Sequence, residues 1–268
     1  MTAPSRGWPA LRQAAIGLAL AALILSAWLV IHLYGVFLFR WSAEELLLLP
    51  ILLPLQCWLS VGLFIVAHDA MHGSLAPYRP GLNRAVGRLA LRLYAGFSYD
   101  RLIGKHFAHH RHSGTAQDPD FHADAASGFW PWYLGFIRAY FGWREFLTLA
   151  ALLVVYVAVL GASPLNVAVF WGLPAVLSSV QLFYFGTYLP HRHEDRPFAD
   201  HHRARSSELS RLGSLLSCFH FGYHHEHHAQ PHVPWWRLPA VRKAPPVSPA
   251  GNRPAAAEGS GARTGPAR

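Results

Sequence analysis

Four long stretches of the chain carry almost no polar side chain. Ile16–Phe39 is broken only by Ser26, His32 and its glycines, and Leu46–Ala67, Phe146–Ala162 and Leu165–Leu189 follow it. Each approaches or exceeds the roughly 20 residues that cross a hydrocarbon layer about 30 Å thick. Their amphipathic periodicity is weak, which argues against buried helices of a soluble bundle. The pattern predicts an all-α integral membrane protein with about four transmembrane helices. Arg6 and Arg12 precede the first run, but it is too long for the apolar part of a signal peptide and no small-residue cleavage site follows. It is therefore expected to be a retained helix.

The segments between the runs have their own signals. Asp118-Pro119-Asp120-Phe121 reads as a turn. Phe129-Trp130-Pro131-Trp132-Tyr133 and Tyr140-Phe141-Gly142-Trp143, with Arg138 and Arg144 nearby, have the composition of a headgroup boundary, or of a substrate entrance. Trp235 and Trp236 have the same character. From Ala240 onward the chain is Pro, Ala, Gly and Arg with almost no large apolar residue. The expected division is a membrane-embedded domain over 1–239 and a disordered tail over 240–268.

Composition adds the direction of insertion. The 268 residues are 52% hydrophobic and 14% charged, against roughly 25% charged in a soluble domain. Of the 23 Lys and Arg residues, nine lie between His68 and Arg144 and eleven after Leu189. The turn near Arg40–Glu45 has one and the turn at Gly161–Leu165 none. Basic residues gather on the cytoplasmic side. The N-terminus, the middle segment and the C-terminus are therefore expected there, in a multi-pass protein of the cell's inner membrane. The net charge of +9 then reads as topology and contact with anionic membrane lipids, not as nucleic-acid binding. Cys57 and Cys218 form no metal or disulfide pattern.

Polar residues become informative where the runs end. His68-Asp-Ala-Met-His72 follows the second run at once, His106-Phe-Ala-His109-His110 lies in the middle segment, and His224-His225-Glu226-His227-His228 lies in the C-terminal one. Intervals of three and four residues share one face of a helix. His68 with His72, His106 with His109 and His110, and His224 with His227 and His228 therefore each form a row of imidazoles. A single such row can be solvated surface, and the lone His32 is expected to be a satisfied polar residue. Three rows on one side of a membrane, where Pro190-His191-Arg192-His193 also emerges from the fourth run, point to one composite site. Neutral imidazole suits first-row metals. Eight imidazoles exceed the needs of one ion, since zinc closes with four ligands. A pair of iron ions with positions open to dioxygen is the better match. Nearby carboxylates are few, namely Asp69, Asp118, Asp120 and Glu226. Asp69, Asp118 and Glu226 are candidates to accept the far N–H of a ligand imidazole.

These segments resemble the membrane-bound fatty acid desaturase/hydroxylase superfamily, whose three histidine boxes hold a non-haem di-iron centre. Within it the resemblance is to the carotenoid ketolase branch. It rests on His68 through Ser74, on His106 through Arg111 with Ser113-Gly114-Thr115 and Asp118 through Phe121, and on Phe183 through Arg192. Phe219 through His228 and Pro234-Trp235-Trp236-Arg237-Leu238-Pro239 complete it. It covers roughly Trp28 to Pro239. The boxes are specific to the superfamily; the segments around His191 and Trp235 point to the branch. The first box has three residues between its histidines where several desaturases have four, which fits ketolases and alkane hydroxylases better.

The resemblance implies metal ligation by His68, His72, His106, His109, His110, His224, His227 and His228, with His191 as a ninth ligand. His193 and His220 compete for that last place, and the ring of His225 is expected to point away. It further implies two ferrous ions, dioxygen as co-substrate, a carotenoid taken from the bilayer and an external electron donor such as ferredoxin. The activity implied is oxidation of carbon 4 of β-ionone rings to a ketone. A carotenoid hydroxylase or a lipid desaturase would share the same metal site. A haem-binding or metal-transporting membrane protein would need ligands within the spans, where only His32 is available.

Overall fold

The computed structural model of the protein describes residues 10–121, 128–193 and 197–242. Among these residues all regular structure is helical. Three helices are long and apolar enough to cross a membrane: α1 (Ala10–Leu38), α2 (Leu49–His72) and α7 (Pro164–His191). Between α2 and α7 lie α3 (Pro80–Ala95), α4 (Tyr99–His112), α5 (Phe129–Tyr140) and α6 (Trp143–Val159). Two short helices, α8 (Arg211–Cys218) and α9 (His224–Ala229), follow α7. The expected tail lies outside the described residues apart from its first three.

The third apolar run, Phe146–Ala162, falls mostly on α6, which is too short to count as a crossing by itself. α5 and α6 meet at an angle of 79° and count as a fourth crossing only if taken together. The break has a local cause. Gly142 is extended, and its backbone N–H donates to the Glu145 carboxylate at 3.0 Å, so a new helix starts there. Glu145 is in turn held by Arg101 of α4 at 2.9 Å.

α2 is the central element and packs against α1, α3 and α7. Trp28 of α1 donates its indole N–H to Ser60 of α2 at 3.0 Å. Asn166, at the start of α7, donates its amide to the carbonyls of Val36 and Phe39 at the end of α1. Such ties satisfy polar groups that have no water to turn to inside a membrane. His32 bonds the Tyr156 hydroxyl through Nε2 at 2.9 Å and stacks on Trp28, while its buried Nδ1 has no hydrogen-bond partner among the described residues.

Helix ends place the site. α2 stops because Gly73 takes a left-handed conformation (φ 69°), with the N–H groups of Gly73 and Ser74 returning to the carbonyls of Ala70 and Asp69. No atom lies within 4 Å of a Cβ built there, so conformation and not space calls for glycine. The histidines of α2 therefore occupy its last two turns. α9 is entered through two further left-handed residues, Phe219 (φ 47°) and His220 (φ 63°). Side chains cost energy in that conformation, and both residues are buried.

Part of the aromatic segment differs from expectation. Trp132 and Tyr133 are 1% and 9% exposed and pack around Phe183 of α7, so they form a core and not a headgroup belt. Trp130 and Trp143, 62% and 76% exposed, keep the expected character. Trp235 is also buried, against Phe219.

Candidate metal centre

Nine imidazoles from α2, α4, the end of α7 and α9 converge at one end of the helices, in two adjoining groups. His68, His72, His106, His110 and His227 form the first, and His109, His191, His224 and His228 the second. Within each, one potential ligand atom per residue lies within 4.8 Å of all the others. The division cuts across the boxes. In the second box His106 and His110 join the first group and His109 the second. In the third, His224 and His228 join the second group and His227 the first. Neighbours on a helix are rotated by about 100°, so the i, i+4 pair faces one centre and the remaining residue the other. The stacked rings of His110 and His228, 4.2 Å apart, join the groups.

The donor geometry fits metal ions. His72 Nε2 lies 2.6 Å from His106 Nε2, and His110 Nε2 lies 3.1 Å from His227 Nε2. His224 Nε2 faces the Nε2 atoms of both His191, at 2.9 Å, and His228, at 3.0 Å. His68 Nε2 is buried with no hydrogen-bond partner, a condition costing about 1–3 kcal/mol if nothing else satisfied it. An ion held at metal–nitrogen distances of about 2.1 Å sets ligands at right angles about 3 Å apart. One ion in each group would thus satisfy nitrogens that cannot all be paired with one another. Burial, reinforced by neighbouring imidazoles, lowers the proton affinity of His106, His110, His224, His227 and His228 well below that of free imidazole. They are therefore neutral and able to ligate.

Outer contacts orient two histidines of the second group. His109 donates from Nδ1 to Asp118 at 2.9 Å, and Asp118 also accepts the backbone N–H groups of Gly114 and Asp120. Burial alone would depress His109, but Asp120 and the bond to Asp118 outweigh it and raise its pKa. Burial would raise Asp118, and the His109 and backbone donors overcome it to leave it lowered. His191 donates from Nδ1 to the Arg203 carbonyl at 2.8 Å, with Ser113 Oγ at 3.1 Å. In both residues Nε2 is left to face the centre.

Asp118 thus accepts from an imidazole of the cluster, whereas Asp69 and Glu226 have other partners. Asp69 stands 3.8 Å from His68 Nδ1, too far for a hydrogen bond. It accepts the backbone N–H of Trp235 instead, tying the C-terminal segment to α2. Glu226 lies on the opposite face of α9, where Ser206 donates to it and Arg242 sits at 3.8 Å. Of the candidates for the ninth position, His191 is in the cluster. His220 packs against Tyr223 and Trp235, and His193 against Phe121 and Phe198. His225 points outward to Asp200 at 2.9 Å.

A cavity opens beside both groups and reaches His68, His106, His109, His110 and His224. Phe64, Met71, Phe97, Leu102, Phe136, Ile137, Leu182 and Phe221 make its walls mainly apolar, with Tyr94, Asp120, Tyr140, Ser179 and Thr187 as the polar members. Gly186 admits Phe221 to the wall, because a Cβ there would lie 2.7 Å from that ring. The sequence named Asp120 only as a turn residue and one of the few carboxylates near the histidines, and Tyr140 only within a segment suited to a headgroup boundary or a substrate entrance; the structure puts both on the cavity wall.

A cluster of histidines at one end of apolar helices, open to an apolar cavity, has the arrangement of a metal site in a membrane-type helical protein. The fatty acid desaturase family model matches residues 45–149 and 136–255, and the chain belongs to that family. Within it the chain is similar to proteins named for one activity. A β-carotene ketolase of a Paracoccus species is 54% identical over 85% of the chain and 93% of the relative. One from Haematococcus lacustris is 38% identical over 88% of the chain and 83% of the relative. A zeaxanthin 4-ketolase of Chlamydomonas reinhardtii is 36% identical over 85% of the chain and 53% of the relative.

Proposed function

We propose that the chain is a carotenoid ketolase: an iron- and dioxygen-dependent oxygenase that converts carbon 4 of a β-ionone ring to a ketone, taking β-carotene to echinenone and canthaxanthin. The observation that carries this reading is the apolar cavity ending on two histidine groups. A donor set of nine imidazoles suits iron, and the paired ions would activate dioxygen for attack on an allylic C–H bond. His68, His72, His106, His110 and His227 would hold one ion, and His109, His191, His224 and His228 the other.

The protein's own part is to bind, orient and exclude water. The cavity's apolar walls accept a ring and the start of its polyene from the bilayer. Asp118 and the Arg203 carbonyl keep His109 and His191 in the tautomer that leaves Nε2 free. Two successive oxygenations at one carbon yield a gem-diol, which loses water to the ketone. The basic segments favour a cytoplasmic site in the inner membrane, with N- and C-termini on the same side. They also offer an external one-electron donor such as ferredoxin a surface of opposite charge.

The test is expression in cells that accumulate β-carotene, followed by pigment analysis. Echinenone and canthaxanthin are the expected products, and the purified chain is expected to carry about two irons. Failure to form any ketone with iron and a reductant present would exclude the ketolase reading. A hydroxylated carotenoid or a desaturated lipid in its place would assign one of the sister activities.

A further inference from the structure

The cavity has one feature that binding of a hydrocarbon does not require. Among the described residues that line it, Asp120 is the one carboxylate. Its backbone is tied down on both sides, by its N–H donating to Asp118 at 2.9 Å and by Trp132 Nε1 donating to its carbonyl at 2.6 Å. The Tyr140 hydroxyl donates to Oδ1. Oδ2 stands 3.6 Å from His109 Nδ1, beyond hydrogen-bond reach. A carboxylate can accept about four hydrogen bonds, so Asp120 keeps free acceptor capacity on the wall, beside a residue of the second histidine group. Ser179 is committed to Tyr133 and to the Val176 carbonyl. A polar acceptor with unused capacity facing an apolar cavity is costly unless something donates to it.

We propose that the Asp120–Tyr140 pair retains the hydroxylated intermediate, accepting the hydrogen bond of the new alcohol so that the same carbon is oxidised again instead of the alcohol being released. The inference rests on the ketolase reading. In the first round one O2, two electrons and two protons convert C–H to C–OH and release one water, the electrons coming from the external one-electron donor. The ring then carries a hydroxyl that the hydrocarbon lacked. Asp120 distinguishes the two because only the alcohol has an O–H to donate to its free acceptor position. A second round with the same stoichiometry gives the gem-diol, which loses water to the ketone. Tyr140 is a positioning residue that holds the carboxylate in place, and Lys105, with its ammonium 4.6 Å from the Tyr140 ring centre, braces it from outside.

Two measurements test the pair. Purified, unaltered protein in detergent is expected to bind 4-hydroxy-β-carotene up to about tenfold more tightly than β-carotene, the worth of one well-formed hydrogen bond. Asp120→Leu should erase that preference, Asp120→Asn reduce it, and Tyr140→Phe reduce it less. In β-carotene-producing cells the same order should appear as a rising ratio of 4-hydroxy to 4-keto product, about tenfold for Asp120→Leu. Asp120→Asn keeps the shape of the site and serves if Asp120→Leu does not fold. Equal affinity for alcohol and hydrocarbon in the unaltered protein overturns the proposal. So does a product ratio that ignores the substitutions while total ketone falls. Absence of any oxidised carotenoid from the unaltered chain would remove the ketolase reading as well.

Discussion

The two histidine groups are built from the same boxes but stabilised differently. In the second, His109, His191, His224 and His228 are all buried, and outer hydrogen bonds from Asp118 and the Arg203 carbonyl aim two of them. In the first, His72, His106 and His110 are only half-buried, and the helices themselves set the arrangement. His68 and His72 stand on the last two turns of α2, His106 and His110 one turn apart on α4. One centre is therefore preorganised by a hydrogen-bonded shell and the other by backbone spacing. An ion in the more open of the two would be the one that solvent and chelators reach first.

The largest effects should come from removing a residue that faces a centre. His227→Ala and His109→Ala are each expected to abolish ketone formation and to reduce bound iron from about two to about one per chain, from different groups. Retention of both ions in either variant would remove that residue from the ligand set. Next comes exchange. A chelator should strip the purified protein in two phases, with the first group emptied first. Asp118→Asn, but not His227→Ala, should accelerate the slower phase, and a single phase would mean that the groups act as one unit.

Asp118→Asn itself should weaken metal binding by about 10–100-fold, the usual cost of losing a carboxylate behind a ligand imidazole. Measured by iron content against chelator concentration, it should exceed the effect of Glu226→Gln severalfold, since Glu226 touches no imidazole of the cluster. The smallest effect is expected of His225→Ala, which replaces an outward-facing ring in the same box. Near-normal iron content and pigment yield would separate it from its neighbours, whereas a loss comparable to that of His227→Ala would show that the outward orientation does not persist.

Much of this site was legible before any fold was known, and the reason is periodicity. Side chains three and four residues apart meet on a helix, so a row of imidazoles is visible in the chain itself, and so are apolar runs the length of a bilayer. Long-range partners are not visible in this way. Asp118 stood out because its turn closely follows the second box. Asp69 and Glu226 had the same adjacency to histidines, yet one reaches the Trp235 backbone, 166 positions away, and the other faces Ser206 and Arg242. Sequence proximity to a ligand says nothing about which way a carboxylate turns. Trp132 and Tyr133 misled for a related reason, since an aromatic side chain suits a headgroup boundary and a buried contact with Phe183 equally well.

The sequence by itself determined that this is an all-helical, membrane-type chain with histidines in metal-binding order, because helical spacing and apolar length are local properties. Its resemblance to carotenoid ketolases was likewise present in the residues flanking the boxes. Only the tertiary structure decided how the imidazoles divide. Residues adjacent on α4 and α9 diverge by about 100°, so each triplet is shared between two centres, and the assignment follows from which helices pack opposite. The same packing brought His191 in from α7, left His193 and His220 outside, and placed the Asp120 carboxylate on the wall of an otherwise apolar cavity.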